Sequence, residues 1–340
     1  MRARTVRRSH VRLADVADIE TLARAFWRAS RGKRGGAPAG RLAANLDVEL
    51  AQLGAEILDG SVSLGRASVF QIHDPKPRWI HAPCFRERIV HHALMEHLGP
   101  VLDRTLIADT FACRAGKGSL AATMRAQQHV RRYAWYVKTD VRAYFASIDH
   151  AILRAALRRM IRDPGLLALC DRIIAAHEAG PGRGLPIGAL CSQHFANFYL
   201  GPLDRHLLEA LQVQGVVRYM DDVVAWCESR QRAREVLASV RDFVREHLGL
   251  ELRPSSQIQR SACGLSFLGF RVLPGTRRLS RRRRRRYAQA RLGLEASFAR
   301  GAIDARGLQA GSSAALAITA HADAAAWCRE QLRRRPPPDV

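Results

Sequence analysis

"RYMDDVVAW", residues 218–226, sets two aspartates side by side among residues that otherwise read as strand. Val216, Val217, Tyr219, Met220, Val223, Val224 and Trp226 are of the kinds that pack on a pleated surface. Asp221 and Asp222 fall where a two-residue hairpin turn is expected, a place that favours Asn-Gly or Asp-Gly over two like charges. Adjacent carboxylates repel, and a divalent cation bound to both removes the repulsion. A solvated turn also tolerates two aspartates, so the reading depends on a third carboxylate.

Asp140 supplies one. "YAWYVKTD" (133–140) reads as a strand ending on it, and Asp149 is a good N-cap for the helix beyond. If the two strands neighbour each other in one sheet, three carboxylates converge at one edge. That is a ligand set for two divalent ions about 3.5–4 Å apart, the arrangement that drives in-line phosphoryl transfer. Mg²⁺ suits it, because Mg²⁺ takes oxygen ligands and shares its shell with substrate phosphates. The competing reading makes Asp140 a strand-end cap and the pair a plain turn.

Charge says what the partner is. Lys and Arg number 55 against 31 Asp and Glu, a formal net charge of +24 over 340 residues. Such an excess calls for a polyanion, of which nucleic acid is the commonest. Arg, His or Asp interrupts every long apolar run, which argues against a membrane span, and "MRARTVRRSHVRLADVADIE" lacks the apolar region of a secretory signal. Seven scattered cysteines without a CxxC pair read as reduced thiols of a cytoplasmic protein.

Along the chain, residues 12–30 and about 42–58 carry helical spacing, with the loop "SRGKRGGAPAG" between them. "ASVFQIHDPKPRWIHAP" reads as two short strands, and helix returns over 86–98. "PGRGLPIGALCSQ" is a loop leading into one amphipathic helix, "HFANFYLGPLDRHLLEAL". The Asp221 hairpin, a helix over about 231–248 and a strand pair in "GLSFLGFRVL" follow. Helices and strands alternate without a Gly-x-Gly nucleotide signature, so the expected class is α+β. After Gly275 come six successive arginines, Arg281, Arg282, Arg283, Arg284, Arg285 and Arg286, and a long Ala-rich helical tail. The expected division is a basic helical extension (1–59), a central unit (60–275) and a basic helical tail (276–340).

"VKTDVRAYFASID", "GRGLPIGALCSQHFANFYL", "RYMDDVV" and "FLGFRV", in that order, resemble the successive palm motifs of reverse transcriptases. Tyr219-Met220-Asp221-Asp222 matches their YxDD signature, and the likeness runs over roughly residues 60–275. The resemblance implies a right-hand polymerase fold, with fingers and an antiparallel palm sheet flanked by helices in 60–275 and a helical thumb in 276–340. It implies RNA-templated synthesis of DNA from deoxynucleoside triphosphates with two Mg²⁺ ions. It makes Asp140, Asp221 and Asp222 the catalytic metal ligands, with the backbone carbonyl of Val141 as a further ligand. Phe145 matches the aromatic beneath the incoming sugar; Tyr144 is its rival, and either is core in the plainer reading. Arg78, beside Lys76, matches the arginine that grips the triphosphate, against a plain surface arginine. The resemblance gives Arg86, Arg88, Arg114 and Lys117 to template or primer phosphates, and the arginine run to RNA or to the RNA/DNA duplex. Leu268, Gly269 and Phe270 match the motif that supports the primer end.

The loop before the long helix separates subfamilies. Most reverse transcriptases read Gln-Gly-x-x-x-Ser-Pro there; this chain reads Ile187-Gly188-Ala189-Leu190-Cys191-Ser192-Gln193. Ile187 and Gln193, both at the nucleotide site by this match, resemble the reverse transcriptases of diversity-generating retroelements. Those enzymes copy a template-repeat RNA with frequent errors at adenine and work with a small basic accessory protein. The alternatives are another prokaryotic group (group II intron-like or phage-defence) and a non-catalytic RNA-binding scaffold. The chain departs from the family in "LELRPSSQIQ", where Ser255 and Ser256 stand in place of the lysines expected to protonate the leaving pyrophosphate. Arg253 is a poor general acid, because a guanidinium hardly deprotonates.

Overall fold

The computed structural model describes residues 8–32, 37–73 and 77–336. The chain opens with α1 (Leu13–Ala17), α2 (Ile19–Ala29), α3 (Ala37–Ala44) and α4 (Leu46–Asp59). Asp18 caps α2 by accepting from the Thr21 amide at 2.9 Å, and the helix then buries Leu22, Ala25, Phe26 and Ala29 along one stripe. These side chains share one core with Leu94, Phe195 and Val223. Helices α1 to α4 are therefore packed into the body of the molecule.

An exposed antiparallel hairpin, β1 (Ala67–His73) and β2 (Pro77–Pro83), follows, then α5 (Phe85–Asp103) and α6 (Ser119–Arg132). Next come β3 (Trp135–Thr139), α7 (Tyr144–Ser147), α8 (His150–Met160) and α9 (Pro164–Ala175). Asp149 caps α8 as expected, accepting from the amides of Ala151 and Ile152. The expected single helix after the Gly/Pro loop is divided into α10 (Leu190–Tyr199), α11 (Gly201–Arg205) and a π-helical turn, His206–Ala210. Pro202 explains the break, because it has no N–H to continue the ladder and fits only the first turn of a new helix.

The palm sheet is completed by β4 (Gly215–Tyr219), β5 (Asp222–Cys227) and, after α12 (Arg230–Leu248), β6 (Gln257–Arg260). Its order is β4-β5-β3-β6, antiparallel throughout. Strands β3, β4 and β5 are buried on both faces, with the two-residue alternation of a pleated strand. Val137, Val216, Val223 and Ala225 join the main core; Tyr136, Val217, Val224 and Trp226 join a second cluster with Phe267 and Phe270. Those phenylalanines belong to a small sheet of β7 (Leu265–Phe267), β8 (Phe270–Val272) and β9 (Arg277–Leu279). Helices α13 (Arg281–Ala299), α14 (Ala305–Ala317) and α15 (Ala325–Arg334) follow, with Tyr287 of α13 edge-on to Trp327 of α15 at 5.5 Å. The architecture is α+β, a four-stranded antiparallel sheet flanked by helices. No helix is long and apolar enough to cross a membrane among the described residues.

Candidate active site

Register brings the aspartates together. Thr139 pairs with Val223, so Asp140 and Asp222 lie at the same sheet edge, and Tyr219 pairs with Asp222 across the hairpin. The expected turn is therefore displaced by one residue: Met220 and Asp221 form it, and Asp222 is the first residue of β5. Met220 takes a left-handed conformation, φ 54°, which a two-residue hairpin demands and a non-glycine residue resists. The shift puts one aspartate in the turn and the other in the strand.

Arg218 holds that turn from below. It is fully buried, with Nε and Nη2 each 2.7 Å from an oxygen of the equally buried Asp204. Nη1 donates to Asn197 Oδ1 at 2.8 Å and to the Met220 carbonyl at 3.2 Å, and Thr110 Oγ1 donates to Asp204 at 2.8 Å. Sequence reasoning missed this network, although a charge inside the apolar run "GVVRYM" was a signal for it.

Two cations attend the carboxylates. Arg253 Nε lies 2.9 Å from Asp140 Oδ2, and Lys138 Nζ lies 3.1 Å from Asp222 Oδ1. Asp221 has its carboxyl pushed up to about 7 by burial first, then by the charges of Asp140 and Asp222 and a hydrogen bond to Asp140. The repulsion inferred from sequence is thus present, offset in part by two side-chain cations. Among the described residues no three His, Cys, Asp or Glu side chains are gathered closely enough to hold an ion as they stand. The donor set nonetheless fits Mg²⁺: every donor is a carboxylate or carbonyl oxygen, and the mutual charge of Asp140, Asp221 and Asp222 is what a cation would relieve. The expected extra ligand, Val141, follows Asp140 directly and is itself buried, bridged to Leu252.

An apolar cavity of about 580 Å³ is lined by Val69, Trp79, His81, Phe145, Leu185 and Ile187 among others. Phe145 and Ile187 are thus together. Tyr144 turns inward instead, fully buried with its hydroxyl on the Ala196 carbonyl. The loop is tied on both sides, the His81 amide donating to the Ile187 carbonyl and the Leu185 amide to the Phe145 carbonyl, each at 2.8 Å. Gly188 is required there, because a Cβ would stand 2.7 Å from the His81 carbonyl oxygen. Gln193 lies in a separate hollow with Arg88, His91 and His92, and accepts from Cys113 Sγ at 3.4 Å. Arg78 is exposed on β2, and Lys76 lies outside the described residues.

The other residues expected at phosphates have partners within the chain. Arg86 forms a two-point ion pair with Glu56, joining α5 to α4. Arg88 donates to the Ala29 carbonyl and lies over Phe85. Arg114 uses Nε, Nη1 and Nη2 on Asp103, Ile107 and Thr110, and Lys117 donates to the Ala108 carbonyl at 2.6 Å. The arginine run forms the first turns of α13, mostly exposed, with Arg283 alone half-buried, 4.3 Å over the Phe270 ring. Gly269 sits at the adjoining hairpin tip with φ 84°, and a Cβ there would meet Arg283 Nε at 3.1 Å.

The protein YkfC of Escherichia coli K12 is 27% identical over 206 residues, 57% of this chain and 53% of that protein. The COX1/OXI3 intron 2 protein of Saccharomyces cerevisiae is 21% identical over 250 residues, covering 29% of its own length. The chain thus spans about half the length of the first of these relatives and less of the second. Telomerase from Candida tropicalis, in a complex with a fragment of telomeric RNA, superposes with a TM-score of 0.47 at 11% identity, over 85% of this chain and 59% of that one. Residues 72–272, more than half the chain and including all three aspartates, match the family described as reverse transcriptase (RNA-dependent DNA polymerase), and the chain belongs to that family.

Proposed function

We propose that the protein copies RNA into DNA from deoxynucleoside triphosphates, with Asp140, Asp221, Asp222 and the Val141 carbonyl holding two Mg²⁺ ions. The observation that carries this reading is the convergence of three carboxylates at one sheet edge in a chain of this family. When bound, the ions lower the pKa of an attacking hydroxyl and stabilise the leaving pyrophosphate. The chain's own groups do the rest. Arg218 and Asp204 fix the hairpin that presents Asp221. Phe145 and Ile187 wall an uncharged space suited to a nucleoside, Trp79 offers a stacking face, and exposed Arg78 suits a triphosphate. The exposed arginines Arg281, Arg284, Arg285 and Arg286, at a helix N-terminus where positive charge is unfavourable, suit nucleic-acid phosphates. Template-dependent incorporation on a primed RNA, abolished by Asp140→Asn, tests the reading; incorporation that persists in that variant refutes it.

The finer assignment is to the diversity-generating class, with a template-repeat RNA and a small basic accessory protein as partners. It is supported by Ile187 and Gln193, where the common motif has Gln and Pro. Ile187 offers no hydrogen bond to the nucleotide space it lines. Sequencing of cDNA copied from an adenine-rich RNA tests it: errors concentrated at adenine support it, and a flat error spectrum contradicts it.

A further inference from the structure

Only four of the 55 cationic residues are lysines, at positions 33, 76, 117 and 138, so a lysine at the carboxylate edge calls for a reason. Lys138 Nζ lies 3.1 Å from Asp222 Oδ1, donates to the Ser266 carbonyl at 3.0 Å and sits 5.8 Å from the Phe267 ring. One ammonium thus joins a palm carboxylate to the β7–β8 hairpin. A planar guanidinium presents its donors in a fixed fork, whereas an ammonium reaches acceptors in unrelated directions. That geometric difference accounts for lysine here in a chain that otherwise uses arginine.

The tie matters because of what the hairpin carries. Leu268 and Gly269 form its tip, both left-handed at φ 46° and 84°, two residues beyond the Ser266 carbonyl. A second tether lies farther from the aspartates, where Tyr136 Oη donates to the Gly264 carbonyl at 3.2 Å. Tyr136 and Lys138 alternate on the same face of β3, so the strand that ends at Asp140 grips the hairpin twice, and Lys138 is the grip that also reaches a carboxylate. Arg253 pairs with Asp140 and supplies a comparison, a cation on the same carboxylate cluster that bonds Asp140 and not the hairpin.

We propose that Lys138 is a positioning residue that sets the hairpin tip, and with it the primer 3′ end, relative to Asp222. This rests on the polymerase reading of the site and adds a role for a residue outside the ligand set. Orienting partners of this kind are worth about 10–100-fold in activity.

The test is a primer carrying 2-aminopurine at its 3′ terminus, annealed to RNA and bound to the full chain in EDTA. Terminal-base fluorescence then reports primer-end placement without any metal. Lys138→Gln is expected to change that fluorescence and to lower kcat about 10–100-fold in Mg²⁺, with the nucleotide KM little changed. Arg253→Gln is expected to keep the wild-type fluorescence. Should Lys138→Gln not fold, Lys138→Arg, which keeps the charge but not the two-acceptor geometry, is expected to show the same fluorescence change. Wild-type fluorescence in whichever Lys138 variant folds overturns the proposal. Wild-type protein that extends no primed RNA overturns the polymerase reading instead, and the role of Lys138 falls with it.

Discussion

Arg218 and Asp204 meet in the interior as a two-point ion pair, 2.7 Å at each contact, with neither side chain exposed. The same guanidinium reaches the Met220 carbonyl, so the pair fixes the turn that carries Asp221. Removing one partner of such a pair leaves an uncompensated buried charge and costs about 3–5 kcal/mol. Arg218→Met is therefore expected to lose stability of that order in urea denaturation. Arg218→Met with Asp204→Leu is expected to lose less stability than Arg218→Met alone, while activity stays low in both. Equal destabilisation in the single and double variants would contradict this account.

Asp221 makes the metal-free protein pH-sensitive. Its folded-state pKa, about 7, stands above the ordinary 3.8, so the folded chain holds this proton more tightly than the unfolded one. The contribution to stability is complete below about pH 4 and is lost as pH rises through about 7. Asp221→Asn removes the titrating group. In EDTA, Tm of the variant minus Tm of wild type is expected to grow by a few degrees between pH 4 and 8. Thermal scans across that range check this, and a pH-independent difference would show that Asp221 titrates normally.

The arginines that open α13 are expected to act through phosphate charge. Replacing Arg281, Arg284, Arg285 and Arg286 with Gln spares Arg283, which packs on Phe270. Each phosphate contact contributes about 0.7–0.9 to the slope of log K against log salt. The fourfold variant should thus flatten that slope by about two to four units in an RNA-binding titration. An unchanged slope places the phosphate contacts elsewhere.

Ile187 walls the apolar cavity with Phe145. A Gln there can hydrogen-bond the incoming nucleotide, and about 1.4 kcal/mol of discrimination is a tenfold change in error rate. Ile187→Gln is expected to lower misincorporation opposite adenine by about tenfold, with smaller changes at other bases. Coincident cDNA error spectra from two active enzymes would make the loop a family marker only.

How far the sequence could be read follows from what kind of information each feature needs. The aspartate triad was legible because strand patterning and the order of motifs need no knowledge of partners. The hairpin register was not: two polar residues at a strand end leave the turn free to slip by one, and the Tyr219–Asp222 pairing decides it. Arg86 and Arg114 read as unpartnered charges because a sequence displays charge but not its counter-charge. Their partners, Glu56 and Asp103, lie 30 and 11 residues away. The Pro202 break was legible in principle and was lost in an otherwise helical pattern. Lys138 gave only a faint signal, its rarity in an arginine-rich chain.

The central claim is that Asp140, Asp221 and Asp222 act as one metal-dependent polymerase centre. Its most direct test is single-turnover extension of a primed RNA by purified wild type and Asp221→Asn, with Mg²⁺ and then with EDTA, after both proteins are shown to be folded. The account predicts extension by wild type in Mg²⁺, none in EDTA, and a loss of at least about a thousandfold in the variant, in line with a residue central to charge stabilisation. Extension by Asp221→Asn within about tenfold of wild type, at equal protein and primer concentrations, would contradict it.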